Sequence, residues 1–172
     1  MKVTLRLVVK TPRSPPRHSM TFFNFEADFV DSLRCIPMIV RLKLDTCGVK
    51  LKLAEWNRFT QSECEQLVEL PCDRDSEIIA YKEYVSHLIL QHTGHEASLL
   101  PIDPQPPWSN DRQIPDTVAA KAAEEQVKID LSQWVMLTTI QRFALIKLTR
   151  SQHENNNFLP ALKEFGLLNP NT

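Results

Sequence analysis

The sequence predicts an all-α protein: a single compact helical domain of about five to seven helices, with two central buried helices at Pro37–Thr46 and Leu131–Arg150 and a proline-rich strap. Three observations carry that expectation. The 172-residue chain holds only three glycines, each placed where a helix ought to end, whereas a β-sandwich or doubly wound sheet needs more turn glycine. Apolar residues recur at helical spacing, most densely in the two stretches named. Helix-start signatures of the S/T-x-x-E type stand in front of apolar runs. A chain of this length forms one domain that buries roughly two thirds of the surface its unfolded form exposes. We read residues 1–20 as a basic flexible tail and 21–172 as the helical domain.

Composition narrows the function. A formal charge of −1 and a pI near 6.5 lack the electrostatic footprint of a general nucleic-acid binder. The charge is unevenly spread, however. Residues 1–20 carry five Lys or Arg and no acid, Arg34 to Arg58 is basic by six to two, and Thr60 to Ile79 carries six acids against Arg74 alone. Such blocks suit faces that meet a partner or one another, and equally suit solvated helix faces. Cys35, Cys47, Cys64 and Cys72 show no CxxC and no paired zinc spacing, and no secretory signal is present, so reduced thiols in a cytoplasmic protein are expected. An organelle transit peptide is the alternative reading of the basic leader. No apolar run approaches the ~20 residues of a membrane span. Neither a cofactor nor a metal site is expected.

Taken in order, Thr21–Leu33 brings Phe22, Phe23, Phe25 and Phe29, too many aromatics for a free tail, so this lead-in should pack on the core. The first central helix follows. Leu33, Ile36, Val40, Leu44 and Cys47 form one stripe, while Cys35, Ile39 and Leu42 cover most of the opposite side. Pro37 fits its first turn and Gly48 its end. Lys50–Pro71 reads as two short helices joined at Thr60, where Thr60 with Glu63 and Ser62 with Glu65 both match the capping box. Trp56, Phe59, Leu67, Val68 and Leu70 supply the buried faces. A DNA-reading helix-turn-helix is disfavoured, because its second helix would place Glu63, Glu65 and Glu69 against phosphate.

Asp75 is expected to cap a longer helix, Ser76–His92, closed by Gly94 and burying Ile78, Tyr81, Val85, Leu88, Ile89 and His92. His87, His92 and His95 do not share one helical face, which argues against a metal set and for His92 as a satisfied core histidine. Leu99–Pro115 is the strap, and Trp108 within it either pins the strap to the domain or presents it to a partner. A peripheral helix with a thin edge of Val118, Ala122 and Val127 comes next. In the second central helix Trp134, Leu137, Ala144, Leu145 and Leu148 form a stripe that contains Gln141, a buried amide in need of partners. Arg142 should snorkel out or pair with Asp45, Glu26 or Asp28. The last helix, Leu159–Phe165, ends at Gly166 with apolar Leu167 beyond it.

Two motifs in this order, LRCIPM and LDTCGVKL, followed by WVMLTTIQRFALIKL and LPALKEFGL, resemble the nitrate reductase-associated proteins of cyanobacteria, the NarM-type group. The resemblance spans Phe22 to Leu168. It implies a non-catalytic accessory or maturation factor for a molybdenum, iron-sulfur nitrate reductase, with the reductase or the molybdenum-cofactor machinery as partner. It carries no catalytic residue set.

Two other classes stay open on the residues themselves. A thiol-based redox or metal-handling protein would use Cys35 and Cys47, which one regular helix would hold about 18 Å apart in rise, so that only a break at Pro37 reconciles them. A binder of a small anion or a pterin phosphate would use Arg34 and Arg41, seven residues apart on one helix face, although Arg41 is equally placed to pair with Asp45 at i, i+4. The candidate functional residues are therefore Arg34, Cys35, Arg41, Cys47, Trp108, Gln141 and Arg142.

Overall fold

A computed structural model describes residues 22–30, 32–150 and 155–168. The expected tail, 1–20, lies outside the described residues. The described chain is mostly helical, as expected for a compact helical domain, and the strands among the described residues are one pair of two residues each. A short 3-10 turn, Asn24–Glu26, runs into α1, Ala27–Val30. The first central helix, α2, spans Met38–Cys47. Pro37 stands at its N-cap and Gly48, at φ 71°, closes it in the left-handed conformation.

Helix α2 is apolar nearly all round because it is buried from two sides. Its Val40, Leu44 and Cys47 enter one cluster, together with Leu33, Ile36, Trp56, Leu67, Tyr81, Val85 and Ile89. Met38 and the partly buried Leu42 enter the other, with Phe23, Val118, Trp134, Phe143, Leu145, Phe158 and Leu162. Fully burying side chains of this size stabilises by about 1.5–3 kcal/mol each, so a helix shared by both clusters couples the two halves of the core.

The cluster around Val40 and Leu44 is completed by α3 (Leu53–Trp56), α4 (Gln61–Glu69) and α5 (Asp75–Thr93). Helix α4 starts where the capping box predicts: Thr60 Oγ1 accepts the Glu63 N–H at 3.3 Å while the Glu63 carboxylate accepts the Thr60 N–H at 2.7 Å. The alternative box at Ser62 and Glu65 is not used, since Ser62 already lies in the first turn. Arg74, not Asp75, occupies the N-cap of α5, and Gly94 ends it at φ 76°.

The cluster around Met38 is completed by α6 (Asp116–Glu124), α7 (Leu131–Met136), α8 (Thr139–Leu148) and α9 (Phe158–Glu164). The expected single helix Leu131–Arg150 is thus corrected to two. The chain is extended at Leu137 (φ −70°, ψ 144°), and a second capping box restarts it, with the Gln141 Oε1 accepting the Thr138 N–H at 2.8 Å. A helix start satisfied by its own side chains competes successfully with helix continuation here. Thr138-Thr139-Ile140-Gln141 carries the same T-x-x-E/Q signature as Thr60–Glu63.

Strand β1, Val49–Lys50, pairs antiparallel with β2, Ser98–Leu99, in the register Val49 to Leu99. Two residues per strand are too few to show an alternation in sequence, which is why the pair is invisible there. It brings the strap across Gly48: a Cβ at that glycine would lie 2.7 Å from the Ile102 Cγ1 and 2.8 Å from the Leu100 carbonyl oxygen. Further on, a 3-10 turn at Pro107–Ser109 lays the Trp108 ring edge-on to Phe143, with centroids 5.0 Å apart. The strap is pinned to the domain.

Candidate functional site

The seven candidate residues separate into structural tasks once placed. Arg142 is buried in α8 and does not snorkel or meet a carboxylate among the partners seen: its Nε donates to the Trp108 carbonyl at 2.9 Å and its Nη1 to the Leu137 carbonyl at 2.6 Å. Those two carbonyls belong to the strap and to the break before α8, groups that no helix ladder satisfies. Arg142 therefore joins strap to core. Trp108 is its partner in that joint, and the Trp134 indole completes it by donating to the Asn110 carbonyl at 3.1 Å. Gln141, expected inside the buried stripe, is half-buried and spends its amide oxygen on the cap of α8.

Arg34 lies in the turn before α2, exposed, where it bonds the Ser32 hydroxyl and the Asp28 carbonyl. It does not share a helix face with Arg41, because the helix begins only at Met38. Arg41 reaches back to the Ile36 carbonyl at 2.9 Å, and Asp45 meets Lys147 of α8 at 2.6 Å. This corrects the arginine pair proposed for anion binding.

Cys35 is half-buried and precedes α2, so the break at Pro37 is real. Cys47 is fully buried and its thiol lies 3.6 Å from the Leu44 carbonyl. Burial pushes the Cys47 thiol above its ordinary pKa, Cys64 up to about 11 and Cys72 up to about 12. A thiol held protonated at neutral pH is a weak nucleophile and a poor metal ligand. All four cysteines are free, and among the described residues no group of three or more His, Cys, Asp or Glu side chains is arranged to hold a metal.

His92 is satisfied, as expected: its Nε2 lies 3.0 Å from Glu63 and its ring tilts against Phe59. Glu26 is the polar group that sequence reasoning placed least well. It is buried, accepts the Met38 N–H at 2.8 Å and the Phe23 N–H at 3.1 Å, and so caps α2 from twelve residues upstream. Burial raises its pKa, although those two N–H groups and Arg41 pull in the other direction.

A surface shaped to receive another molecule lies elsewhere. Between the C-terminal end of α4 and the start of α5 is a groove of about 610 Å³, lined by Leu70, Pro71, Ala80, Tyr81 and Tyr84, with Gln66, Glu69, Ser76 and Glu77 around them. Its lining is mostly apolar and its charged part, Glu69 and Glu77, is acidic. The wall is held firmly. Tyr81 donates from its hydroxyl to the Leu67 carbonyl at 3.0 Å, and Lys43 of α2 donates to the Val68 and Leu70 carbonyls at 2.7 and 2.6 Å while lying over the Tyr81 ring. Tyr84 bonds Gln66 across α4 and α5. Through Lys43, the motif-bearing helix α2 fixes the groove. The signal in sequence was the acidic block Thr60–Ile79, but acids alone could not show that an apolar floor lies among them.

Fold and groove define an all-α protein with a mostly apolar surface cleft, and among the described residues no helix is long and apolar enough to cross a membrane. The chain belongs to the conserved nitrate reductase-associated protein family, whose model matches residues 22–165. No curated protein and no solved structure gives a match to this chain.

Proposed function

We propose that this chain is a non-catalytic accessory factor in the maturation of assimilatory nitrate reductase, acting in the cytoplasm by binding the immature enzyme or assisting insertion of its molybdenum cofactor or cluster. The observation that carries the proposal is membership of a family described by its association with nitrate reductase, over nearly the whole described chain. The placement of the candidate residues supports it. The residues that carry the motif resemblance build and hold α2: Cys47 is buried inside it, and Arg41 binds the carbonyl just before it. A factor whose conspicuous residues maintain shape acts through its surface.

The test is genetic and biochemical together. Deleting the gene abolishes nitrate reductase activity while reductase transcript and apoprotein persist. A deletion strain that reduces nitrate at the normal rate overturns the proposal.

A further inference from the structure

We propose that the groove between α4 and α5 is the docking site for a basic, apolar-interleaved segment of the partner, an inference that rests on the reading of this protein as a reductase-binding factor. Two properties of the groove specify that occupant. Its floor of Leu70, Pro71, Ala80 and Tyr81 is apolar and gains by losing water. Its lining carries Glu69 and Glu77, and the chain between the lining residues Pro71 and Ser76 adds Asp73 and Asp75, with Arg74 the one base in the block Thr60–Ile79. Residues 21–172 as a whole have a net charge of −6, since the five bases of residues 1–20 are removed from a total of −1. An acidic partner segment would be repelled; a basic one is steered in and retained.

The tyrosines sharpen the assignment. Tyr81 is nearly fully buried, and burial holds its hydroxyl well above the ordinary pKa, so it stays neutral and keeps its bond to Leu67. Tyr84 lines the groove together with Glu69 and Glu77. Aromatic rings beside carboxylates accommodate Arg or Lys stems along the ring while the charged head meets the acid. The groove is also preformed, because Lys43 and Tyr81 are each anchored to carbonyls of α4 or of the turn after it. Preformed sites lose less entropy on binding. This chain's own residues 1–20 are basic as well, which makes them the competing occupant that the experiment must distinguish.

The experiment measures capture of purified reductase apoprotein by the full chain and by three variants. Ala80→Trp fills the floor, Glu69→Lys with Asp73→Lys reverses the charge, and Glu96→Lys, an exposed site outside the groove, controls for charge alone. Glu77 is left intact because its carboxylate accepts the Asp73 and Arg74 N–H groups at the start of α5. The expected result is a loss of about tenfold or more in affinity for the first two, wild-type affinity for the control, and wild-type capture that weakens as salt rises. Unchanged melting temperatures show that the variants fold.

Three results overturn the proposal, and they are distinguishable. If the wild-type chain captures no reductase, the functional reading fails and the groove assignment falls with it. If the wild type captures reductase and the groove variants do so equally, only the groove is wrong. If groove variants capture more reductase and trypsin cuts faster after Arg6 and Lys10, the groove belongs to the chain's own N-terminal segment.

Discussion

Arg142 and Glu26 are both charged and both buried, and each is explained by the backbone groups it satisfies. Arg142 serves carbonyls that no helix can serve, and Glu26 serves two N–H groups at helix starts. Replacing Arg142 by Met keeps the stem and strands two buried carbonyls. The expected loss is about 2–4 kcal/mol, read from urea unfolding, with the strap becoming sensitive to proteases near Trp108. Glu26→Gln puts an amide NH2 against a backbone N–H and is expected to cost about 1–3 kcal/mol at neutral pH. The sign of its pH dependence follows from its raised pKa. The folded state holds the proton more tightly than the unfolded state, so the contribution to stability is fully present below about 4.5 and is lost as pH rises through the higher folded value. Urea midpoints measured from pH 4.5 upward are expected to fall in the wild type and to fall less in Glu26→Gln. Gly48 is constrained by backbone conformation and space. Its φ of 71° and the Ile102 and Leu100 atoms within 2.8 Å of a Cβ mean that Gly48→Ala strains the backbone and pushes the strap away. A loss of about 2 kcal/mol or more is expected by thermal melting.

At the scale of elements, helix starts decide where the chain bends. Thr60–Glu63 and Thr138–Gln141 make the same reciprocal cap, and each begins a helix immediately after a short one. Thr138→Ala removes the cap of α8 and is expected to cost about 1 kcal/mol. Because the Thr138 break also supplies the carbonyl of Leu137 to Arg142, the double variant with Arg142→Met is expected to fall short of additivity. The first box was plain in sequence and the second was not. What hid it was the apolar stripe on both sides of Leu137, which continues in phase as if one helix ran through. Periodicity reports which residues are buried and is silent about a two-residue interruption that keeps the burial pattern. The acid-sensitive side of stability also belongs to the caps. Burial pushes Glu63 up, but the Thr60 N–H and His92 more than offset this; Glu77, held by the Arg74 and Asp73 N–H groups, is likewise lowered. Their contributions are present above about 4.5 and are lost as pH falls through the lower folded values, opposite in sense to Glu26.

For the whole molecule, the order of helices, the positions of their ends at Gly48, Gly94 and Gly166, and most of the apolar faces follow from residue type and spacing. These are local properties: a glycine at positive φ, a capping side chain three residues from its partner, a stripe of one period. The family motifs are equally a matter of chain order. Where several of the charged groups would go was not local. Asp45 turned to Lys147, Arg142 to Trp108 and Glu26 to Met38, across separations from 12 to 102 residues. Such pairs depend on which unsatisfied carbonyl or N–H the packing leaves within reach, a quantity defined only when helices are assembled. The groove has the same origin. Its acids are legible as a block in the sequence, but its floor exists because α2, gripped between two clusters, holds the end of α4 against Tyr81 through Lys43. The sequence by itself determined most of the helices and the family; packing decided which surface is left open, because a cleft takes its shape from how the elements around it are assembled.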